Sequence, residues 1–290
     1  MQTGMLHRII KYCYLICLLV VAGCGDYNAI CKSPDYEFKY EAAKGYYAQG
    51  DYRKASELFG SLLVAMKGTV YGEECLYMLG LSNFMTKDYE SAASFFRKYY
   101  QSYPKGQYVE LARYYSGYSL YKQTPEIRLD QTCTQDAIQE FNNFLEFYPS
   151  TVLKDQTMDM IYTLQDKLVE KEYLSAKLYY DLGTYVLNCS YGGNNYEACI
   201  ITAQNALKDF PYASAERREE LGIMILRAKY HLARQSVDEK RVERYRDAVD
   251  EYYAFVNDYP ESKYMAEAKD MFDSANRIIK RKKINIAEEE

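Results

Sequence analysis

The apolar residues of the chain follow a pattern that recurs five times. Each copy has a small residue preceded three positions earlier by tyrosine, or by threonine in one copy. Large or small apolar residues follow four and seven positions later, which places the set on one face of a helix. In the last four copies a proline lies twelve positions after the small residue, and it predicts where the helix ends because proline cannot continue the helical hydrogen bonds. The small residues are Ala55, Ala92, Ala137, Cys199 and Ala248, and the prolines are Pro104, Pro149, Pro211 and Pro260.

A second helical pattern precedes the first three copies. In the first two, the patterns are separated by Gly50-Asp51 and Lys87-Asp88, which predict tight turns. Small residues at matching heights allow two helices to approach closely, as a helical hairpin requires. Repetition of such a hairpin predicts an α-solenoid. The small residues of the first helices are Ala43, Gly80 and Gly117.

The repeats also predict the domain organisation. Residues 35–150 hold hairpins 1–3, and residues 151–279 hold a connecting helix, expected near 151–188, followed by hairpins 4–5. The segment TVLKDQTMDMIYTLQDKL supplies the connecting helix. The insert KQTPEIRLDQT lengthens the third copy, and its Pro125 breaks any continuing helix. Residues 280–290 form a charged tail.

The repeat resembles the tetratricopeptide repeat. Leu79-Gly80, Ala92, Phe96 and Pro104 match its consensus, whereas the fourth copy departs from it. The resemblance implies an all-α fold, a right-handed α-solenoid of about five tetratricopeptide-like helical hairpins.

The N-terminus has the pattern of an export signal. Basic residues precede an uncharged run over residues 12–23, which is shorter than the roughly 20 residues of a membrane-spanning helix. Its last residues, Val21, Ala22, Gly23 and Cys24, resemble a bacterial lipobox. The resemblance implies a signal peptide over 1–23, a covalent diacylglyceryl and N-acyl (palmitate-type) lipid on Cys24, and a lipidated linker over 24–34. The alternative is an ordinary secretory signal in which Cys24 is incidental.

Composition argues against several classes of function. The formal net charge is −5, and the one cluster of basic residues, 277–283, is followed by three glutamates, so we expect no nucleic-acid partner. The mature chain keeps a single histidine, His231, and has no nucleophile and base motif or P-loop, so we expect no catalytic residues. We also expect no metal site and no other cofactor. Cys189 and Cys199 flank a turn, and two buried thiols are favoured over a disulfide.

The order of repeats, the inserts and the lipobox together resemble the BamD family of outer-membrane lipoproteins, most closely over DKLVEKEYLSAKLYYDLGTYV and ALKDFP in residues 166–211. The resemblance covers most of residues 24–275. It implies a non-enzymatic adaptor of the β-barrel assembly machinery, lipid-anchored on the periplasmic side of the outer membrane. The implied partners are the periplasmic domains of a BamA-like insertase and unfolded outer-membrane β-barrel proteins. The alternative is a repeat lipoprotein that binds glycan or peptidoglycan ligands in the cell envelope.

A tyrosine-lined groove is the candidate binding site for substrate peptides. The chain has 34 tyrosines and no tryptophan, and tyrosine offers a large apolar face with a polar tip. Aromatic residues at helical spacing mostly fill hairpin interiors, so only part of the set should make contacts. The two cations of the set could bind a terminal carboxylate. The candidates are Tyr40, Lys44, Tyr47, Tyr77, Phe84, Arg113, Tyr114, Tyr118 and Tyr121.

Overall fold

The computed structural model describes residues 27–183 and 194–289, with side chains as far as residue 281. The signal peptide, the lipobox of Val21, Ala22 and Gly23, and the anchor Cys24 lie outside the described residues, as does Cys189. Cys199 is buried.

The described residues form helices joined by turns and loops and contain no strand. A short helix over residues 27–32 comes first. The predicted all-α fold of helical hairpins is confirmed. The longer helices are α1 (Tyr36–Ala48), α2 (Tyr52–Leu62), α3 (Gly72–Met85), α4 (Tyr89–Ser102), α5 (Val109–Gln123), α6 (Thr132–Phe147), α7 (Lys154–Leu182), α8 (Asn195–Asp209), α9 (Ala215–Arg234), α10 (Asp238–Asp258) and α11 (Met265–Glu289).

The predicted helix ends are confirmed in all four copies that carry the proline. Helices α4, α6, α8 and α10 each end two residues before it. The residue between helix and proline is aromatic, and its backbone N–H donates to the carbonyl four residues earlier, as from Tyr103 to Tyr99 and from Tyr259 to Phe255. The helix thus completes one last bond before proline stops the ladder.

The predicted apolar face is buried. The five small residues and the residues seven positions after them are at most 3% exposed. A Cβ atom on Gly80 would lie 2.8 Å from Cε1 of Phe96, and one on Gly117 would lie 2.7 Å from Cδ1 of Phe141. Each glycine therefore makes room for a phenylalanine ring from the second helix of its own hairpin.

The turns inside the first two hairpins share one geometry. Asp51 and Asp88 cap α2 and α4, with side-chain oxygens that accept hydrogen bonds from the backbone N–H of Lys54 (3.4 Å) and Ser91 (3.2 Å). The residue before each aspartate has a left-handed backbone, with φ of 83° at Gly50 and 65° at Lys87. Glycine adopts this conformation freely, whereas lysine is strained in it.

The chain divides into two compact units. Unit 1 comprises the residues up to Thr124 together with Gln135–Lys154, and unit 2 comprises Pro125–Thr134 together with Asp155–Glu290. Unit 1 holds α1 to α5 and most of α6, and unit 2 holds α7, except for its first residue, and α8 to α11. The insert that interrupts the third copy therefore groups with the second unit, although it precedes α6 in the sequence.

Candidate functional site

The structure sorts the candidate aromatic residues by their position relative to the small residue of each first helix. Those three positions before it are buried: Tyr40 is 1% exposed, and Tyr77 and Tyr114 are each 6% exposed. Tyr40 packs against Phe59 and Tyr71. These tyrosines therefore fill hairpin interiors.

The aromatic residues four positions after the small residue are half-buried. They are Tyr47 on α1, Phe84 on α3 and Tyr121 on α5. The rings of Tyr47 and Phe84 each meet the first tyrosine of the following helix, Tyr52 or Tyr89, at centroid distances of 5.2 and 5.4 Å. Each ring thus covers the turn of its hairpin and keeps a part of its surface open to a ligand.

Three of these candidates form a continuous stack, which we call the aromatic ladder: Phe84, Tyr118 and Tyr121. Tyr118 stacks on Phe84 at 5.4 Å and on Tyr121 at 6.0 Å between ring centroids. Beneath it, Tyr118 also stacks on the buried ring of Tyr114 at 5.6 Å. The Nζ atom of Lys122 lies 5.1 Å from the centroid of Tyr118. The ladder is a rigid, half-exposed aromatic surface with a cation at its edge.

Sequence reasoning missed Tyr115. Its ring lies 5.5 Å from Phe84 and stacks on Phe96 at 5.4 Å, so it links the ladder to the interior of the second hairpin. Tyr115 lies next to the buried Tyr114 in sequence, and one position turns a helical side chain by about 100°. The spacing of Leu111, Tyr115 and Tyr118 along one face of α5 was the available signal.

Burial and neighbouring hydroxyls keep these tyrosines uncharged. Burial raises the pKa of Tyr47, and the nearby Tyr52 and Tyr115 add to the increase. Burial also raises the pKa of Tyr77, with further contributions from Tyr115 and Tyr47, and raises the pKa of Tyr114 to about 12. Phe84 of α3 contacts Tyr115 and Tyr118 of α5, so these two helices share one aromatic, tyrosine-rich face.

The two cations among the candidates contact different partners. Lys44 forms an ion pair with Glu74 at 3.4 Å and lies over the ring of Tyr40. The guanidinium of Arg113 lies over Tyr100 of α4 and Phe147 of α6, at 4.3 and 3.8 Å from the ring centroids. Rings from the second helices of two hairpins, α4 and α6, therefore hold Arg113 in place. Arg113 is not part of the aromatic ladder.

The single histidine of the described residues is packed among aromatic rings. His231 stacks on Tyr196 at 5.6 Å and meets Tyr180 and Tyr230 at its edges. Burial lowers its pKa, and Arg234 and Arg227 lower it further. Within the described ranges no cluster of three or more His, Cys, Asp or Glu side chains could hold a metal ion.

Repeated helical hairpins with a tyrosine-rich face define a repeat protein of the tetratricopeptide-like class. The family model YfiO, described as an outer membrane lipoprotein, matches residues 34–232. The chain therefore belongs to the YfiO family, which is the BamD family of outer membrane lipoproteins. None of the helices described here is both long and apolar enough to cross a membrane.

Other comparisons add little. The search of curated proteins gave no match. One solved structure, titled "Computational Design of Self-Assembling Cyclic Protein Homooligomers", shares 14% identity over 89% of this chain and 91% of that chain, with a TM-score of 0.17. A TM-score this low supports no conclusion about fold or function.

Proposed function

We propose that the protein is a non-enzymatic adaptor of the β-barrel assembly machinery. In this role it binds the periplasmic domains of a BamA-like insertase and receives unfolded outer-membrane β-barrel proteins. A lipid on Cys24 anchors it to the periplasmic side of the outer membrane. Membership of an outer membrane lipoprotein family supports the location, and the aromatic ladder supports the binding of polypeptide.

The aromatic ladder carries the substrate part of the proposal. Its rings are held in place by stacking, so little side-chain entropy is lost when a ligand covers them. Strands of outer-membrane barrels alternate apolar and polar residues and carry aromatic residues at both membrane interfaces. An unfolded strand can therefore lay aromatic or aliphatic side chains on Phe84, Tyr118 and Tyr121 while its polar side chains face water.

Lys122 adds charge recognition at the edge of the ladder. The side chain is exposed, and its interaction with the nearby hydroxyl of Tyr118 raises the pKa of its ammonium group. It stays protonated in the periplasmic pH range and can pair with a carboxylate of the substrate, including the one at a chain terminus.

Binding of an unfolded substrate tests this part directly. The substrate is an outer-membrane barrel protein that is unfolded in urea and then diluted into buffer. We expect the double variant Tyr118→Ser/Tyr121→Ser to bind it about tenfold more weakly, a loss of about 1.4 kcal/mol in binding free energy. The matched control is Tyr212→Ser, because Tyr212 is 74% exposed and lies in unit 2. An unchanged circular dichroism spectrum shows that the variants are folded. Equal binding by the double variant and the control would contradict a role for the ladder.

Co-purification tests the choice of partner. We expect the mature chain, extracted from envelopes in detergent, to recover an outer-membrane insertase. Recovery of a glycan-import channel or of wall fragments in its place would instead support the glycan-binding alternative and refute the assembly role.

Acylation is tested by Cys24→Ser. One acyl chain gives marginal anchoring, but each buried methylene adds roughly 0.8 kcal/mol and several chains on one residue hold durably. We expect the variant to leave the membrane fraction, and its continued sedimentation with membranes would argue against Cys24 as the anchor.

A further inference from the structure

Residues 125–131 of the insert form a compact loop that is held by side chains of the loop itself and of the first turn of α6. Gln131 is 4% exposed, and its side-chain nitrogen donates to the carbonyls of Glu126 (2.7 Å) and Leu129 (3.2 Å). Its side-chain oxygen accepts a hydrogen bond of 2.7 Å from Oγ1 of Thr134, which is itself buried. Compact surface loops that are packed by their own residues are frequently functional. These internal hydrogen bonds therefore hold the exposed residues of the loop in fixed positions.

The loop and α7 enclose an open cleft within unit 2. Lys171 of α7 joins the two, because its Nζ atom donates to the carbonyl of Leu129 at 3.1 Å. The cleft has a volume of about 430 Å³. We call it the basic cleft, and its lining includes Arg128, Lys171, Leu174, Lys177, Leu178 and Asp181.

The basic cleft combines positive charge with exposed leucine. Arg128 and Lys177 are exposed, and neither forms an ion pair with any residue in the described part of the chain. Leu178 lines the cleft, Leu129 follows Arg128 in the loop, and each of the two leucines is 57% exposed. Three cations line the cleft against the carboxylate of Asp181, although the whole chain carries a net charge of −5.

The positive charge and the exposed leucines together determine which kind of ligand can bind. Two unpaired cations favour carboxylates, because charge-assisted hydrogen bonds are stronger than neutral ones. Two exposed leucines favour an apolar side chain that removes them from water, at roughly 25 cal/mol for each Å² covered. A ligand that satisfies both must carry acidic and apolar groups on the same face.

We propose that the basic cleft is a docking site for an acidic, amphipathic segment of a partner polypeptide. Carboxylates of the segment pair with Arg128 and Lys177, and its apolar side chains cover Leu129 and Leu178. The cleft lies in unit 2 and shares no residue with the aromatic ladder. Binding here is therefore independent of the proposed capture of unfolded substrates, and either can fail without the other.

The test uses the mature chain and a fluorescent helical peptide with leucine and glutamate on one face. We expect Arg128→Glu/Lys177→Glu to weaken binding of this peptide more than about tenfold. The matched control is Lys208→Glu/Lys269→Glu, which makes the same change of charge at two exposed lysines of unit 2. This control should bind as the unaltered chain does. Raising the NaCl concentration from about 50 to about 300 mM should weaken binding to the unaltered chain.

Further measurements separate this ligand from others. Leu178→Ser should weaken binding without changing its salt dependence, because it removes only apolar contact. Equal affinity for a peptide of scrambled sequence and the same composition would overturn the amphipathic assignment. Equal binding by the two charge-reversed variants would overturn the location. Binding to vesicles that contain phosphatidylglycerol, lost in Arg128→Glu/Lys177→Glu and accompanied by no peptide binding, would overturn the choice of a polypeptide.

Discussion

The two units build the same helical hairpin from different side chains. In unit 1 the position three residues before the small residue of each first helix is a buried tyrosine: Tyr40, Tyr77 or Tyr114. In α9 of unit 2 the small residue that faces α10 is Gly222, where a Cβ atom would lie 3.3 Å from Cδ2 of Phe255. Three positions before it is Glu219, which accepts a hydrogen bond of 2.5 Å from Oγ of Ser262. At this one position the hairpins of unit 1 place a buried aromatic ring, whereas α9 of unit 2 places a polar contact.

Ion pairs show the same contrast. Arg217 pairs with Glu170 of α7 and Glu220 of α9, and other pairs join α9 to α10 and α11 and join α8 to α10. In the described part of unit 1 two ion pairs join different helices, Lys44 with Glu74 and Arg97 with Glu140, and the surface also carries the aromatic ladder. We therefore propose that unit 1 binds an apolar polypeptide and that unit 2 binds charged partners.

The largest expected effect on stability comes from a larger side chain at Gly117 in unit 1. In Gly117→Val, Cβ would lie 2.7 Å from the ring of Phe141, and two further methyl groups have no space. We expect the free energy of unfolding to fall by roughly 3 kcal/mol, measured by urea denaturation. The matched control is Gly45→Ala on α1, where nothing lies within 4 Å and alanine should stabilise the helix by roughly 0.5–1 kcal/mol. An unchanged free energy of unfolding in Gly117→Val would show that the packing of the Phe141 ring does not require glycine at this position.

Removing a network cation should distinguish unit 2. Arg217 contacts two glutamates and lies over the ring of Tyr173 at 4.1 Å, so Arg217→Leu leaves two partly buried carboxylates without their partner. We expect a loss of about 1–2 kcal/mol in the free energy of unfolding. The loss should shrink in 1 M NaCl because salt screens the pair, whereas the loss in Gly117→Val should not change. A loss that is equal at low and high salt would contradict an electrostatic role.

Replacing the lysine with a left-handed backbone in unit 1, Lys87, by glycine should stabilise the protein. Lys87 has a φ of 65° where the equivalent residue of the first hairpin is Gly50. We expect Lys87→Gly to raise the free energy of unfolding by about 1 kcal/mol, measured as a higher thermal midpoint. The reciprocal change, Gly50→Ala, should lower the midpoint, and a rise would refute the assignment of strain to these turns.

We expect the stability of unit 2 to fall at acidic pH because of His231. Burial lowers its pKa below the usual 6.5, so the unfolded chain takes up a proton that the folded chain does not bind. The stability from the neutral imidazole is complete above pH 6.5 and is lost as the pH falls toward the folded pKa. We expect His231→Phe to reduce the decline of the unfolding midpoint between about pH 6.5 and pH 5. The same decline in variant and parent would show that other groups cause it.

Patterns confined to one helix were predictable from the sequence. Pro104 and Pro260 marked helix ends because proline acts through its own backbone, and Ala92 marked a buried face through simple spacing. Features that depend on a second helix were not. The position of α6 decides that Tyr114 is buried, and the position of α3 decides that Tyr115 reaches Phe84. The rings that hold Arg113 come from α4 and α6. The contact of the insert with α7 through Lys171 likewise joins residues far apart in sequence.

Photocrosslinking of the lipidated chain in living cells tests the central claim most directly. A photoreactive phenylalanine analogue placed at Tyr121 samples the aromatic ladder of unit 1, and the same analogue at Tyr212 samples an exposed site of unit 2. We predict crosslinks from position 121 to newly exported outer-membrane barrel proteins, with few from position 212. Crosslinks to such substrates from position 212 and none from position 121 would contradict the assignment of polypeptide binding to the aromatic ladder.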